Sequence, residues 1–549
     1  MPNIDKSFLK KRLHYVVYAI FLAFFIIIVK LVYLSILGYK KDFSYYSQDN
    51  TQIHRYDIVD RHSNVLAIEV PSTSIYIRPK DIKDKPQAIN ALVSSLDLSR
   101  EVAEKLVNSS ASFLWVKRNI TEEEDAKLKY QGVLGIYFQK ETKRFYPYGS
   151  LFSHIVGMTD IDGKGVSGIE NSFNDTLYER NLELSVDLKI QRILYDAIAE
   201  AVEKNQAKHG YGMVVDPNTG EVLAMVSLPD FNPNDRIDIN INNMFNYPTQ
   251  GLVEFGSIAK VFSVAMALEN GTYHIDDLFD VSKPIVNNSY VITDFSYMNR
   301  SLNIPEVLMY SSNIGTSIMM KELGVNTQIY YLNKFNLFKE TSLELSEKTP
   351  SLTSAKWNEL NSMTVSYGYG LAVSQATYIN SFIAMINGGN YIPLTLLRRS
   401  ENNIPKKRVL SEEVSKKMQR MLRLVVAKGS GRRGDVAGFS VGGKTGSAEK
   451  QLRGKYQKNS VIASFVAFFP SDNPKYVVIV SIDEPKRVAY NNYNTTGGAL
   501  SAPIVKSIIS QIATTFAMEK TQDNTAKVNV NDKQTIIDYV LKQGEFHED

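Results

Sequence analysis

At 549 residues the chain is too long for one ordinary hydrophobic core, so two or three domains are expected. Its 62 basic and 58 acidic residues leave a net charge of +4 spread along the sequence, which excludes the concentrated basic face of a nucleic-acid binder. No cysteine is present and the seven histidines lack ligand spacing, so neither a disulfide framework nor a metal centre is expected, and no cofactor is implied.

Residues 15–37 are apolar apart from Ser35, the tyrosine hydroxyls and Lys30. At about 1.5 Å per residue such a helix spans about 33 Å, enough for a bilayer core of about 30 Å. Lys6, Lys10, Lys11 and Arg12 precede it. The positive-inside rule then puts residues 1–14 in the cytoplasm and everything after the span outside. The stretch is too long for a cleaved signal peptide, and no small-x-small site follows it, so an uncleaved single-pass anchor is expected.

A polar, tyrosine-rich stalk at 40–50 opens a region, 38–183, of short strands and charged helical segments. Residues 65–70 and 74–77 read as strands, 84–107 and 121–129 as helical. From 184 the texture changes. Residues 188–202 form an amphipathic pattern, and 211–215 and 222–227 are apolar strands joined by the turn Asp216-Pro217-Asn218-Thr219-Gly220. Helical segments fill the middle. The apolar runs 439–442, 461–469 and 476–482 are further strands, and 503–517 is a closing helix. This order implies a domain, 184–517, whose sheet is built from both its ends. Residues 518–549 turn polar, which suggests a mobile tail with a short helix at 536–541.

Two features carry alternative readings. Gly163-Lys164-Gly165-Val166-Ser167-Gly168 matches a dinucleotide fingerprint, but Asp187, the acidic residue at the right distance, opens the next domain, so a tight glycine loop is the better reading. The basic stretch 406–433 has Val414, Met418, Met421, Leu422 and Val425 at helical spacing, so its cations are expected on the wet face of a packed helix.

The chemistry lies in three motifs. Ser257-Ile258-Ala259-Lys260 is one of several S-x-x-K matches, the others being Ser7-Phe8-Leu9-Lys10 and Ser447-Ala448-Glu449-Lys450. Its partners select it: Ser311-Ser312-Asn313 and Lys444-Thr445-Gly446-Ser447 follow in the order of serine acyl-transferases that react with penicillin. Gly256 precedes Ser257 and an apolar helix follows, which places the hydroxyl at a helix N-terminus where free N–H groups stabilise an oxyanion. Lys260 lies one turn on, and a lysine activates an alcohol when neutral, a state favoured by burial beside another cation such as Lys444. Ser311 to Asn313 fall in a helix-to-helix turn after Pro305, so a hydroxyl and an amide can point into a cleft. Glycines 442, 443 and 446 keep the third motif bare, so an extended peptide can add to its edge. Lys444, Thr445 and Ser447 suit a free C-terminal carboxylate, and the N–H groups of Ser257 and Ser447 suit an oxyanion hole.

With these motifs the sequence resembles the class B penicillin-binding proteins. Arg55 with Ile58-Val59-Asp60-Arg61, Arg144-Phe145-Tyr146-Pro147 and Gly165 to Glu170 resemble elements of that family's pedestal domain, the dimerisation-type domain. Tyr369 to Ser374, Gly431-Arg432-Arg433 and Gly443 to Lys450 look most like the division-specific, FtsI-type branch. The resemblance implies an α+β multidomain protein: an N-terminal transmembrane helix, an α+β pedestal, and a transpeptidase domain with an antiparallel five-stranded sheet flanked by helices plus a helical subdomain. It implies a D,D-transpeptidase of the inner membrane, with the catalytic domain in the periplasm. Ser257 would attack the penultimate D-alanine of a peptidoglycan stem peptide, and an amine of a neighbouring stem would take the acyl group. Lys260, Ser311, Asn313 and Lys444 would serve catalysis, and Thr445, Gly446 and Ser447 substrate binding. β-Lactams as covalent inhibitors, a membrane glycan polymerase and other division proteins are the implied partners. The sequence departs from the pattern at Tyr56 and His62-Ser63, which puts pedestal turns in doubt, and at Phe255, Ile258-Ala259 and Ser447. The elongation branch, a β-lactamase (whose deacylating Glu-x-x-Leu-Asn loop would need glutamate where Trp357 stands in Trp357-Asn358-Glu359-Leu360-Asn361), a β-lactam sensor, and a division protein with a dispensable site remain the competing readings.

Overall fold

The computed structural model describes residues 18, 20–30 and 54–541, apart from 237, 288–289, 355, 401 and 453–454. Contacts divide the chain after His54. In the first unit, residues 18 and 20–30 are helical, with exposed apolar side chains such as Phe21, Phe24 and Phe25. Among the described residues no helix is long and apolar enough to cross a membrane; the remainder of the expected span 15–37 lies outside them.

The second unit begins with an α+β region. Its long strand β1 (Val65–Ile77) pairs antiparallel with β2 (Leu114–Ile120) and β3 (Ile136–Phe145). The two strands read from the sequence are thus one, with Pro71 inside it. β2 reaches β1 only from Thr73 onward, so at Pro71 one ladder edge is open and the missing N–H costs no bond there. The helical stretch 84–107 breaks into α1 (Lys85–Leu96) and α2 (Arg100–Val107), because Asp97 turns left-handed at φ +54 and Ser99 caps the second helix. With α3 (Glu122–Gln131), opened by a Thr121–Glu124 capping box, these helices cover the Ile75 and Ile77 face.

The resembling pedestal segments meet around Glu170. Arg55 Nε donates to Glu170 Oε2 and Arg144 Nε to Oε1, each at 2.7 Å, with all three residues buried. The turn with His62-Ser63 forms: Asp60 Oδ1 accepts from the N–H groups of His62 and Asn64, and Ser63 takes the left-handed φ of +63. The glycine fingerprint carries no βαβ unit. A Cβ on Gly165 would lie 2.0 Å from the Glu170 carbonyl, so backbone packing demands that glycine, and Asp187 caps the next helix.

That helix, α4 (Leu188–Lys204), opens the second region, followed by strands β4 (His209–Val215) and β5 (Val222–Leu228). Helices α5 (Lys260–Glu269), α6 (Ile304–Met309), α7 (Asn313–Leu323), α8 (Val325–Lys334), α9 (Glu359–Ser366), α10 (Gln375–Ile383) and α11 (Glu412–Ala427) intervene. Then come β6 (Gly442–Leu452), β7 (Lys455–Phe469), β8 (Tyr476–Asp483), α12 (Ser501–Thr515) and α13 (Lys533–Leu541). The five-stranded antiparallel sheet has the order β6-β7-β8-β4-β5, so both ends of the region supply it and β6 is an edge. Helices cover both faces: Val478 and Val480 point to α4 and α12, Val477 and Ile479 to the helical insertion. Burial on both sides is why these strands read as unbroken apolar runs.

Three expectations need correction. The strand placed at 439–442 instead starts at Gly442 and runs through the third motif, because the glycines, poor in strand propensity, let the Phe468 ring lie where a side chain would stand. The basic stretch does form α11 with Val414, Met418 and Met421 buried, but Arg423 is buried too. Residues 519–541 are no loose tail: α13 packs on α11 and α6 with Ile536 and Val540 fully buried. Residues 542–549 lie outside the described residues.

Candidate active site

Gly256–Ala259 form a 3-10 turn running directly into α5. Ser257 is second in that turn, so its N–H has no intrahelical acceptor and faces the positive end of the helix. Phe255, the departure from the family pattern, is buried with its ring 5.1 Å from that of Tyr378, whose hydroxyl donates to the Ile258 carbonyl at 2.9 Å. The aromatic ring thus secures the turn before Ser257 by packing.

Lys260 Nζ lies 2.7 Å from Ser257 Oγ and 3.1 Å from Ser311 Oγ, and donates to the Ser311 carbonyl at 2.8 Å. Ser311 reaches this position with φ +61, unusual for serine, in the turn between α6 and α7. Lys444 Nζ approaches the same hydroxyl from β6 at 3.0 Å and donates to the Thr445 carbonyl at 3.1 Å. Both lysines are fully buried. Burial pulls the Lys260 pKa well below the lysine range, and the Lys444 charge lowers it further against an opposing pull from Asp294. Burial brings Lys444 down to about 7. Both lysines are thus pulled toward the neutral amine, and at Lys260 the charge of Lys444 adds to that pull.

Sequence reading missed Asp294. Its Oδ2 accepts from Ser312 Oγ at 2.6 Å, and its Oδ1 accepts from the N–H groups of Asn313 and Ile314 at 2.5 and 3.0 Å. It thereby caps α7 and fixes the second motif. The Asn313 amide donates to the Thr293 carbonyl at 2.8 Å, so part of its hydrogen-bonding capacity is already committed. A loop aspartate in no motif gives no local signal of such a role.

The third motif lies on the open edge of the sheet. The Glu449 N–H points away from β7 to the Tyr369 hydroxyl, 3.4 Å away, and the Val461 carbonyl opposite it bonds Glu484 on the far side. Because ladder bonds alternate along an antiparallel pair, Ser447 and Thr445 also turn their backbone groups outward. The edge meets the Ser257 turn closely: a Cβ on Gly446 would lie 2.6 Å from the Phe255 carbonyl, and one on Gly256, at φ +55, 2.6 Å from the Ser447 carbonyl. Thr445 Oγ1 lies 3.2 Å from Ser430 Oγ, and Ser447 Oγ accepts from the Gly497 N–H at 2.9 Å. Ser430 and Gly497 were likewise missed. A cavity of about 700 Å³ adjoins this edge, lined by Glu254, Tyr290, Tyr369, Glu449 and Tyr456 among others. The arrangement can deprotonate Ser257, hold an extended peptide beside it and stabilise an oxyanion between two N–H groups.

Comparison with known proteins agrees with this geometry. Residues 210–510 match the family described as penicillin binding protein transpeptidase domain, and residues 51–181 the penicillin-binding protein dimerisation domain. Over 478 residues the chain is 31% identical to the probable peptidoglycan D,D-transpeptidase FtsI of Caulobacter vibrioides, covering 84% of this chain and 81% of that one. It is 30% identical over 506 residues to the probable peptidoglycan D,D-transpeptidase PenA of Neisseria gonorrhoeae, covering 85% and 86%. It is also 30% identical to the peptidoglycan D,D-transpeptidase FtsI of Buchnera aphidicola subsp. Baizongia pistaciae, covering 83% and 86%. The chain belongs to the class B penicillin-binding proteins, with a dimerisation domain followed by a transpeptidase domain.

Proposed function

We propose that this chain is a serine-type peptidoglycan D,D-transpeptidase that cross-links stem peptides during septal cell-wall synthesis. The observation that carries the chemistry is the contact of a buried, pKa-depressed Lys260 with Ser257 Oγ at 2.7 Å. Neutral Lys260 takes the Ser257 proton as Oγ bonds to the penultimate D-alanine carbonyl carbon. The N–H groups of Ser257 and Ser447 hold the oxyanion, and the terminal carboxylate meets Lys444, Thr445 and Ser447. Ser311, touching both lysines, relays a proton to the departing D-alanine amine, while Asn313 holds the peptide carbonyl. The acceptor stem's amine then attacks the ester, forms the new amide and returns the proton to Ser257. Penicillin acylates the same oxygen.

The division role rests on the FtsI names of relatives and on the resembling segments at 369–374, 431–433 and 443–450. The apolar stretch 15–37 and the cations before it support an anchor with the N-terminus in the cytoplasm and the catalytic region outside, and the family resemblance adds a membrane glycan polymerase as the expected partner. The β-lactamase reading lacks its deacylating base, because Trp357 stands where a Glu-x-x-Leu-Asn loop needs glutamate.

Fluorescent penicillin is expected to label the wild-type chain covalently and stably and to leave Ser257→Ala unlabelled. Labelling that survives the substitution would refute the nucleophile, and rapid release of hydrolysed drug would restore the β-lactamase. A fluorescent fusion confined to the septum supports the division role; signal along the side wall favours elongation.

A further inference from the structure

Arg423 is a cation inside the protein, 2% exposed on α11. Its Nη1 donates to the Val441 carbonyl at 2.7 Å, immediately before β6. The guanidinium also forks onto two carboxylates, meeting Asp435 at 2.8 Å and Asp523 at 2.6 Å. Asp523 lies beyond residue 510, where the match to the transpeptidase domain ends. The same C-terminal segment makes further attachments around the site. The Thr521 N–H donates to the Gly438 carbonyl at 2.9 Å, and Thr521 Oγ1 accepts from the Ser440 N–H at 2.7 Å. Farther along, Arg420 donates to the Val540 carbonyl at 2.9 Å, and Lys533 to the Ser301 carbonyl, also at 2.9 Å, just before α6. The segment thus ties together the approach to β6, the helix α11 that leads to Ser430, and α6, which leads to Ser311.

β6 needs such a tie. It is an edge strand supported on one side, and Gly442 and Gly443 at its start have no side chains to anchor it. Lys444, Thr445 and Ser447 are carried by it. We propose that Arg423 is a positioning residue for acyl transfer, gripping the start of β6 through Val441, and that the C-terminal segment completes its hold through Asp523. This inference rests on the transpeptidase reading only for its kinetic readout.

The test uses the full-length chain with Asp523→Asn or Arg423→Lys. Lysine keeps the charge of Arg423 but not its fork. Acylation by fluorescent penicillin is followed against pH, and amide exchange is followed over residues 442–447. The charged groups facing Lys260 are Lys444 and Asp294. If β6 relaxes, Lys444 presses less on Lys260, and the acid limb of the acylation profile moves to higher pH. Acylation below neutral pH slows, about tenfold in Arg423→Lys, and exchange across the motif quickens. Both variants should move in this direction. A limb that stays in place with unchanged exchange overturns the proposal, as does a smaller labelled fraction with an unmoved limb, the mark of mere destabilisation. Exchange needs no turnover. A wild-type chain that refuses penicillin therefore defeats the transpeptidase reading, while exchange still decides the role of Arg423.

Discussion

Two buried lysines around one serine hydroxyl separate their roles by environment. Both are desolvated, and Lys260 also feels the repulsion of Lys444, which disfavours its protonated form further. As the base, Lys260 must be neutral, so acylation falls as pH drops through its depressed pKa. Lys444 must be charged to meet a carboxylate, so in the free enzyme the second-order rate should fall again as pH rises through about 7. A bell-shaped profile of the second-order acylation constant is the expected result, and a profile flat above neutrality would contradict this division of roles. Asp294 opposes the depression of Lys260. Asp294→Asn should therefore move the acid limb to lower pH, opposite to the Arg423 variants, and cost about 0.5 kcal/mol in thermal unfolding through the lost charge at the start of α7. The residue types of the site were legible because S-x-x-K, S-x-N and K-T-G are short local patterns. Asp294, Ser430 and Gly497 were not, because their contacts form only across the fold.

Among elements, the edge strand β6 and the Ser257 turn matter most, since the oxyanion site lies where they meet. Their backbones approach so closely that Gly446→Ala would put a methyl group 2.6 Å from the Phe255 carbonyl. The strand must then lean away from the turn. Penicillin acylation should drop by a factor of about 100 while the circular dichroism spectrum stays that of the wild type; unchanged acylation would mean that the gap is not needed. The inner strands could be read from apolar runs, because both faces of the sheet are covered. β6 was misplaced because its glycines carry no pattern, and the single strand β1 was divided by a proline whose tolerance depends on an open edge. Helix starts fared better: Thr121 and Asp187 cap helices whose onset local side chains can fix alone.

At the scale of the molecule, three distant pedestal segments converge on Glu170, whose carboxylate serves both Arg55 and Arg144 away from solvent. Glu170→Gln would leave two buried guanidinium groups without their counter-charge. It should destabilise the chain by about 3–5 kcal/mol in denaturant unfolding, with the acylation rate of the folded fraction little changed; a cost below 1 kcal/mol would show that the cluster is solvated on demand. Composition, the order of three motifs and the apolar periodicity by themselves determined the α+β class, the two-region plan and the acyl-transfer chemistry, because these depend on residue type and local spacing. The tertiary structure decided which groups share a proton path, since Lys260 and Lys444 acquire depressed pKa values only through burial and proximity. It also turned a polar C-terminal stretch into a brace, because Ile536, Val540 and Asp523 gain partners only when α11 and α6 are already in place.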